Sequence, residues 1–151
     1  MKETSRLRGH YTIEIREKGK LLRVLELDNS LTELYRRAIL DHLKEGTGTD
    51  LEIKYLAVGI GETLPTKDDT QLEDEVFRSV PTYQEIRGNE LRTTWVLLDM
   101  QANYHLKEIG VFIGDATATA DSGTLMSRMA IDIDKTASQE VTFIRHDIVE
   151  I

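Results

Sequence analysis

Several groups of residues in this chain have types and spacing that could do chemistry. Gly59-Ile-Gly61 follows the apolar run Tyr55 to Val58, where a phosphate-binding turn would stand. A nucleotide fingerprint needs a further glycine and then a helix whose N-terminus meets the phosphates. Here Glu62, Pro65, Asp68 and Asp69 follow, and their negative charge opposes phosphate. The two glycines are therefore expected to form a tight turn with positive φ. Asp68, Asp69, Asp115, Asp121, Asp132 and Asp134 offer oxygen ligands for calcium, but none follows the EF-hand spacing. The histidines at 10, 42, 105 and 146 include no closely spaced pair of the kind that starts a local metal site. His42 is expected near a helix C-terminus, where partial positive charge is favourable. No Gly-x-Ser-x-Gly elbow is present to activate a serine. These readings assign no catalytic residue, no cofactor and no metal.

Glu75, Arg78 and Glu108 form a different kind of set. Asp68-Asp69-Thr70 reads as the cap of a short helix over Gln71 to Val76, with Glu73, Asp74 and Glu75 in its early turns. Glu75 and Arg78, three apart, would share a face of that helix. Glu108 opens the apolar segment EIGVFIG, where a buried carboxylate needs a partner. An arginine fork binds a carboxylate through two hydrogen bonds. The expectation is an internal ion pair fixing the short helix to a sheet, rather than a general acid.

The elements that must position these groups are mostly strands. Tyr11-Thr-Ile13-Glu-Ile15 alternates apolar and polar residues, Glu17-Lys-Gly19-Lys is a turn, and Leu21 to Leu27 is a second strand. The result is an N-terminal hairpin over residues 10–27. Ser30-Leu-Thr-Glu33 reads as a capping box for a helix over 30–45. Leu31, Leu34, Tyr35, Ala38, Ile39 and Leu43 fall on its apolar face, and Gly46-Thr-Gly48 ends it. A β-rich body over 51–151 follows. Its strands are LRTTWVLL, EIGVFIG, Leu125 to Ile133 and Val141 to Ile151, and turns sit at Arg87-Gly-Asn89, Gly114 to Gly123 and Asp134 to Ser138. Trp95, Phe112 and Phe143 read as core. Tyr83 and Tyr104, in polar surroundings, are candidate interface anchors. DATATADSG, residues 115–123, is small and polar and is expected to be a mobile loop. The fold class expected is mainly β, a β-sandwich or compact barrel, with one N-terminal amphipathic helix, in one domain over 1–151.

Composition narrows the function classes. With 151 residues, 40% hydrophobic and 30% charged, the chain is globular rather than disordered. It has no cysteine, which removes disulfides, thiolate metal sites and cysteine nucleophiles. The opening MKETSRLRGHY has no apolar run after its charges and does not read as a secretory signal. No apolar run approaches the roughly 18 residues of a membrane helix. The net charge of −8 disfavours nucleic acid as a partner. It is unevenly spread: residues 1–50 carry +1 and residues 51–151 carry −9.

The order of motifs resembles proteins of tailed-bacteriophage tails, specifically the N-terminal module of tail-fibre proteins of the tail-collar type. A strand and a helix, Tyr11–Leu27 and Leu31–Leu43, precede a strand entering a glycine turn, Leu56-Ala-Val-Gly59-Ile-Gly61-Glu-Thr63. A stretch similar to "Pro…Asp-Thr-x-Leu-x-x-Glu-x-x-Arg" follows as Pro65, Asp69, Thr70, Leu72, Glu75 and Arg78. Later come Leu106-Lys-Glu108-Ile-Gly110-Val-Phe112 and Gly123-Thr-Leu125-Met-Ser-Arg128. In such proteins the matched residues look architectural, and no catalytic residue is carried over.

The resemblance implies a non-enzymatic structural part of a phage tail, a fibre, collar or baseplate adaptor. It would be located in the virion and made in a host cytoplasm, of an intact phage, a prophage or a phage-derived device. Its partners would be other virion proteins and copies of itself. Virion rings favour threefold or sixfold symmetry with head-to-tail contacts, so a trimer or hexamer is expected. The charge split is a candidate for the two unlike patches. Two alternatives share much of this pattern. A head decoration protein is also small and lattice-bound, and a carbohydrate-binding sandwich would need Tyr83, Tyr104 or Trp95 in line on the surface.

Overall fold

The computed structural model describes residues 5–151. The reading of the chain's start as lacking a signal falls partly on residues 1–4, outside the described residues. In chain order the elements are β1 (Arg6–Glu17), β2 (Lys20–Asp28), α1 (Glu33–Glu45), β3 (Tyr55–Gly59), β4 (Glu75–Ser79), β5 (Tyr83–Arg87), β6 (Glu90–Leu97), β7 (His105–Ile113), β8 (Thr124–Asp134) and β9 (Gln139–Glu150). The described residues are therefore mainly β with one helix. The strands form two antiparallel sheets, a first of order β2-β1-β9-β6-β5 and a second of order β4-β3-β7-β8.

Side-chain alternation explains which faces are buried. Tyr11, Ile13 and Ile15 point to one side of β1 and are buried, as are Trp95 and Leu97 of β6 and Val141 and Phe143 of β9. They meet Leu56, Val58, Leu106, Ile109, Val111, Ile113 and Ile133 of the second sheet in one apolar core. The β1–β2 hairpin expected from the sequence is present. Its turn residues Lys18 and Gly19 both have positive φ, 50° and 78°, a geometry that suits tight hairpins.

The second sheet is buried on both faces. The side away from the core carries Ala57, Phe112 and Leu125, packed with Leu72 from the β3–β4 loop. Two loops cover that outer face, residues 60–74 and 114–123. Leu72 is completely buried, so it acts as the hydrophobic anchor of the first loop.

Three local expectations are corrected, and one strand is added. The capping box of Ser30 with Glu33 does not form. Thr32 is the N-cap and accepts the Tyr35 N–H at 3.2 Å. Residues 30–32 are drawn instead against β8: Leu31 bridges Ser127, and the Thr32 hydroxyl donates to the Leu125 carbonyl at 2.5 Å. The helix buries Tyr35 and Ala38, whereas Leu34 and Leu43 of the expected apolar face are exposed. The short helix over Gln71–Val76 is absent. Residues 71–74 are loop, and Glu75 begins β4, because β3 offers an edge that satisfies this backbone. β5 was not foreseen as a strand. It is an edge strand beside β6, so its sequence YQEIR lacks a clean apolar alternation.

Candidate functional site

Glu108 sits on β7 with 1% of its surface exposed, facing away from the main core toward the loop over residues 60–74. Its carboxylate accepts four donors. Oε2 takes the backbone N–H groups of Gly61 at 2.8 Å and Asp74 at 2.9 Å. Oε1 takes the N–H of Glu73 at 2.9 Å and Nε of Arg128 at 3.0 Å. The loop also closes on itself, the Ile60 N–H donating to the Asp74 carbonyl at 2.9 Å. This is an Ω-type loop whose two ends are joined by one buried carboxylate. A carboxylate surrounded in this way has its lone pairs occupied, which is what a buried charge requires.

Arg128 completes the anchor. Its Nη1 donates to Asp69 at 3.0 Å, and its Nη2 donates to the Thr63 carbonyl at 2.9 Å. Asp69 in turn accepts the Thr66 N–H at 2.8 Å. Burial works against the charge of Asp69, but the Thr66 and Arg128 hydrogen bonds outweigh it and hold its pKa below the ordinary value. Pro65 lies half-buried in the same loop, next to the Thr66–Asp69 turn. The Lys67 carbonyl accepts the Glu33 N–H at 2.8 Å, so the loop also satisfies the first turn of α1.

The glycines of the motif have a different role from the one expected. Neither Gly59 nor Gly61 has positive φ. They are needed for close approach. A Cβ on Gly59 would stand 2.4 Å from the Asp74 carbonyl oxygen, and one on Gly61 would stand 2.4 Å from Glu108 Oε2. A Cβ on Gly110 would meet Leu72 Cδ2 at 2.8 Å, so that glycine leaves room for the loop's apolar anchor.

The expected pairing of Arg78 with Glu108 is also corrected. Arg78 forks onto Glu75, with both hydrogen bonds at 2.7 Å and both side chains nearly buried. Residues three apart normally face opposite sides of a strand. Here the β3–β4 register slips between Val58↔Phe77 and Gly59↔Glu75, and this bulge brings Glu75 and Arg78 to one side. The Arg78 guanidinium lies 4.5 Å from the centroid of the Phe112 ring, and its Nη1 donates to the carbonyls of Thr117 at 2.9 Å and Ser122 at 3.1 Å. The 115–123 segment, expected to be a mobile loop, is tied down by these bonds and by the Ser122 hydroxyl bound to the Thr119 carbonyl at 2.7 Å. Gly59, Gly61, Asp69, Leu72, Glu75, Arg78, Glu108, Gly110, Phe112 and Arg128 thus gather on one face of the second sheet beneath the two loops.

The remaining candidates are spread out. Tyr83 on β5 is exposed and its hydroxyl donates to Glu85 at 2.8 Å, and Tyr104, just before β7, is also exposed. Trp95 is fully buried. His10 and His146, distant in sequence, stack on the outer face of the first sheet with ring centroids 4.3 Å apart, and His146 Nδ1 meets Glu90. Burial and the neighbouring His146 lower the pKa of His10. Among the described residues no group of three or more His, Cys, Asp or Glu side chains could hold a metal ion. Among the described residues no helix is long and apolar enough to cross a membrane.

A second buried polar cluster escaped sequence reasoning. Arg145 on β9 is fully buried and donates to Asp147 at 2.8 Å, to the Tyr11 hydroxyl at 2.8 Å and to the Ser127 hydroxyl at 2.7 Å, linking the two sheets. Burial alone would lower its pKa, but Tyr11 and Asp147 outweigh it and keep the guanidinium charged. The signal was an arginine at the next inward position after Val141 and Phe143. No family model, no curated protein and no solved structure matches this chain.

Proposed function

We propose that this chain is a non-enzymatic structural subunit of a phage tail, a fibre, collar or baseplate adaptor that works by self-assembly and by docking to other virion proteins. In this reading the two sheets form a β-sandwich with the helix in its N-terminal part. The observation that carries the reading is the use made of the motif residues. Their charged groups are turned toward one another and toward loop backbone, so the motif builds two fixed loops on a sheet rather than a reactive cleft. An assembling subunit gains from that arrangement, because rigid loops present a surface at low entropic cost on docking. The polar depression beside Asp69 and Arg128 is shallow and open, unlike the enclosed apolar pockets that take small molecules.

The head decoration reading shares this architecture and differs only in location. The glycan-binding reading is weaker, since Trp95 is in the core and Tyr83 and Tyr104 lie beside different sheets. Immunogold labelling of tailed particles from a producing strain tests the proposal. Label at the tail or baseplate is expected. Label on the head would favour decoration, and particles devoid of the protein would overturn the assembly reading.

A further inference from the structure

One end of the molecule is built from three connections. The β1–β9 and β6–β9 registers bring the β1–β2 turn, the β6–β7 loop over residues 98–104 and the β8–β9 turn over residues 135–138 to that end. The 98–104 loop is fixed from beneath. Lys135 is buried, and its Nζ donates to the carbonyls of Leu98 at 2.9 Å and Asp99 at 3.3 Å and to Asn103 Oδ1 at 2.8 Å. Ala102 is held at φ 52°, in the left-handed region that a residue with a Cβ rarely adopts. A buried cation and a strained residue thus hold one loop shape, and that shape turns apolar side chains outward. Leu98, Met100 and Tyr104 are 53%, 81% and 47% exposed. A loop already fixed in this way loses little entropy when it docks.

The β1–β2 tip, on the other side of the same end, also exposes apolar groups. They are Leu21 and Leu22, and Leu22 is the residue that the β1–β2 bulge leaves unpaired. Tip and loop differ in charge. Glu17 is turned inward onto the Ser138 hydroxyl at 2.7 Å, Arg16 pairs with Glu14, and Asp132 is engaged by His105 and Lys107. Lys18 and Lys20 at the tip, and Asp99 and Asp134 beside the loop, are exposed and form no ion pair among the described residues. One end therefore carries a basic apolar patch and an acidic apolar patch.

Sheet order sets their spacing. β1 and β9 lie between β2 and β6, so the patches are three strand spacings apart, about 14 Å. Between them stands the β8–β9 turn, whose exposed residues Thr136, Ala137 and Ser138 are small enough for close approach. A half-turn about an axis normal to the first sheet and through this turn sets the tip of each copy on the loop of the other. We infer that this end is a self-association surface, on which two copies meet end to end about a two-fold axis near Ala137. Lys18 and Lys20 then face Asp99 and Asp134 of the partner subunit, and Leu21 and Leu22 lie against Leu98 and Met100 of the partner subunit. This contact rests on the assembly reading above and names one of its surfaces. It is compatible with a dimer or with a hexamer of dihedral symmetry, and not with a simple threefold ring, which has no two-fold axis.

The chain has no cysteine, so single cysteine variants report contacts without background. Light scattering across concentration reads whether the protein self-associates, and oxidation of Ala137→Cys reads where. The expected result is an even-numbered oligomer that Ala137→Cys locks as a disulfide dimer. Lys18→Glu with Lys20→Glu should weaken association about tenfold, and so should Asp99→Lys with Asp134→Lys. An equimolar mixture of the two double variants should associate to within about threefold of wild type, because each tip then meets a loop of opposite charge. Recovery on mixing also shows that both variants are folded. An oligomer that Ala137→Cys fails to cross-link, or a mixture that gives no recovery, overturns the end-to-end contact and leaves the assembly reading standing. A monomer at every concentration also overturns the contact, and the assembly reading then depends on the labelling of particles.

Discussion

Glu108 Oε2 accepts the Gly61 N–H at 2.8 Å and stands 2.4 Å from where a Cβ on Gly61 would have to sit. The carboxylate and the missing side chain are two halves of one feature. The loop backbone comes close enough to donate only because residue 61 has no Cβ. The same logic joins Gly110 to Leu72, where the absent side chain makes room for an apolar anchor.

Gly61→Ala should destabilise the protein by about 1–3 kcal/mol, because the added methyl clashes with Glu108 and with Glu73 in a site that cannot relax freely. Trp95 is the single tryptophan and is fully buried, so its fluorescence in a urea titration measures the loss. A midpoint equal to wild type would mean that the loop can lift from Glu108 at no cost.

Breaking the buried pair should be more severe. Arg128→Met leaves Glu108 charged with only backbone donors, and a loss of about 3–5 kcal/mol is expected. Adding Glu108→Gln to Arg128→Met should cost much less than Glu108→Gln costs alone, since the two act as one unit. Additive losses in the double-mutant cycle would show that the pair is not coupled.

Leu72→Ala should cost about 2–5 kcal/mol, the range for emptying a fully buried leucine site. Hydrogen exchange should then quicken first over residues 60–74, because Leu72 is that loop's apolar contact with the sheet.

Arg78→Lys retains the charge but loses the fork onto Glu75 and the bonds to Thr117 and Ser122. Limited proteolysis should shift to residues 115–123. An unchanged cleavage pattern would mean that Ser122 alone orders the loop.

Stability should fall in acid. Asp69 has a folded-state pKa below its ordinary value. A depressed carboxylate contributes its full stability above the unfolded pKa, about 3.9 for Asp, and loses it as pH falls from there through the folded value. Thermal melts should therefore drop below about pH 4. Asp69→Asn should flatten part of that dependence while lowering stability at neutral pH. An identical acid profile for the two proteins would remove Asp69 from the account.

The residues show how far the text alone reaches. Alternation in Tyr11-Thr-Ile13-Glu-Ile15 and LRTTWVLL gave strands and buried faces, since both depend on the two-residue period of an extended chain. Gly46 ended the helix with φ 69°, also a local property. Local rules misled at Gln71–Val76, where acidic residues resembled a helix start although β3 offered a free edge to β4. They misled at Ser30 as well, where β8 took the residues meant for a cap.

The mainly β content, the N-terminal hairpin and the helix after it were legible in the residues alone, because each follows from local periodicity and turn chemistry. Which groups pair with which was set by the packing of the whole chain. Arg128 lies 20 residues from Glu108, and Gly61 lies 47. Which arginine meets Glu108 depends on strand order, on the β3–β4 bulge and on the path of two loops, and none of these is written in the local spacing of residues. A buried charge must find partners, so the need was legible in Glu108, but the partner was set by the packing of segments far apart in the chain.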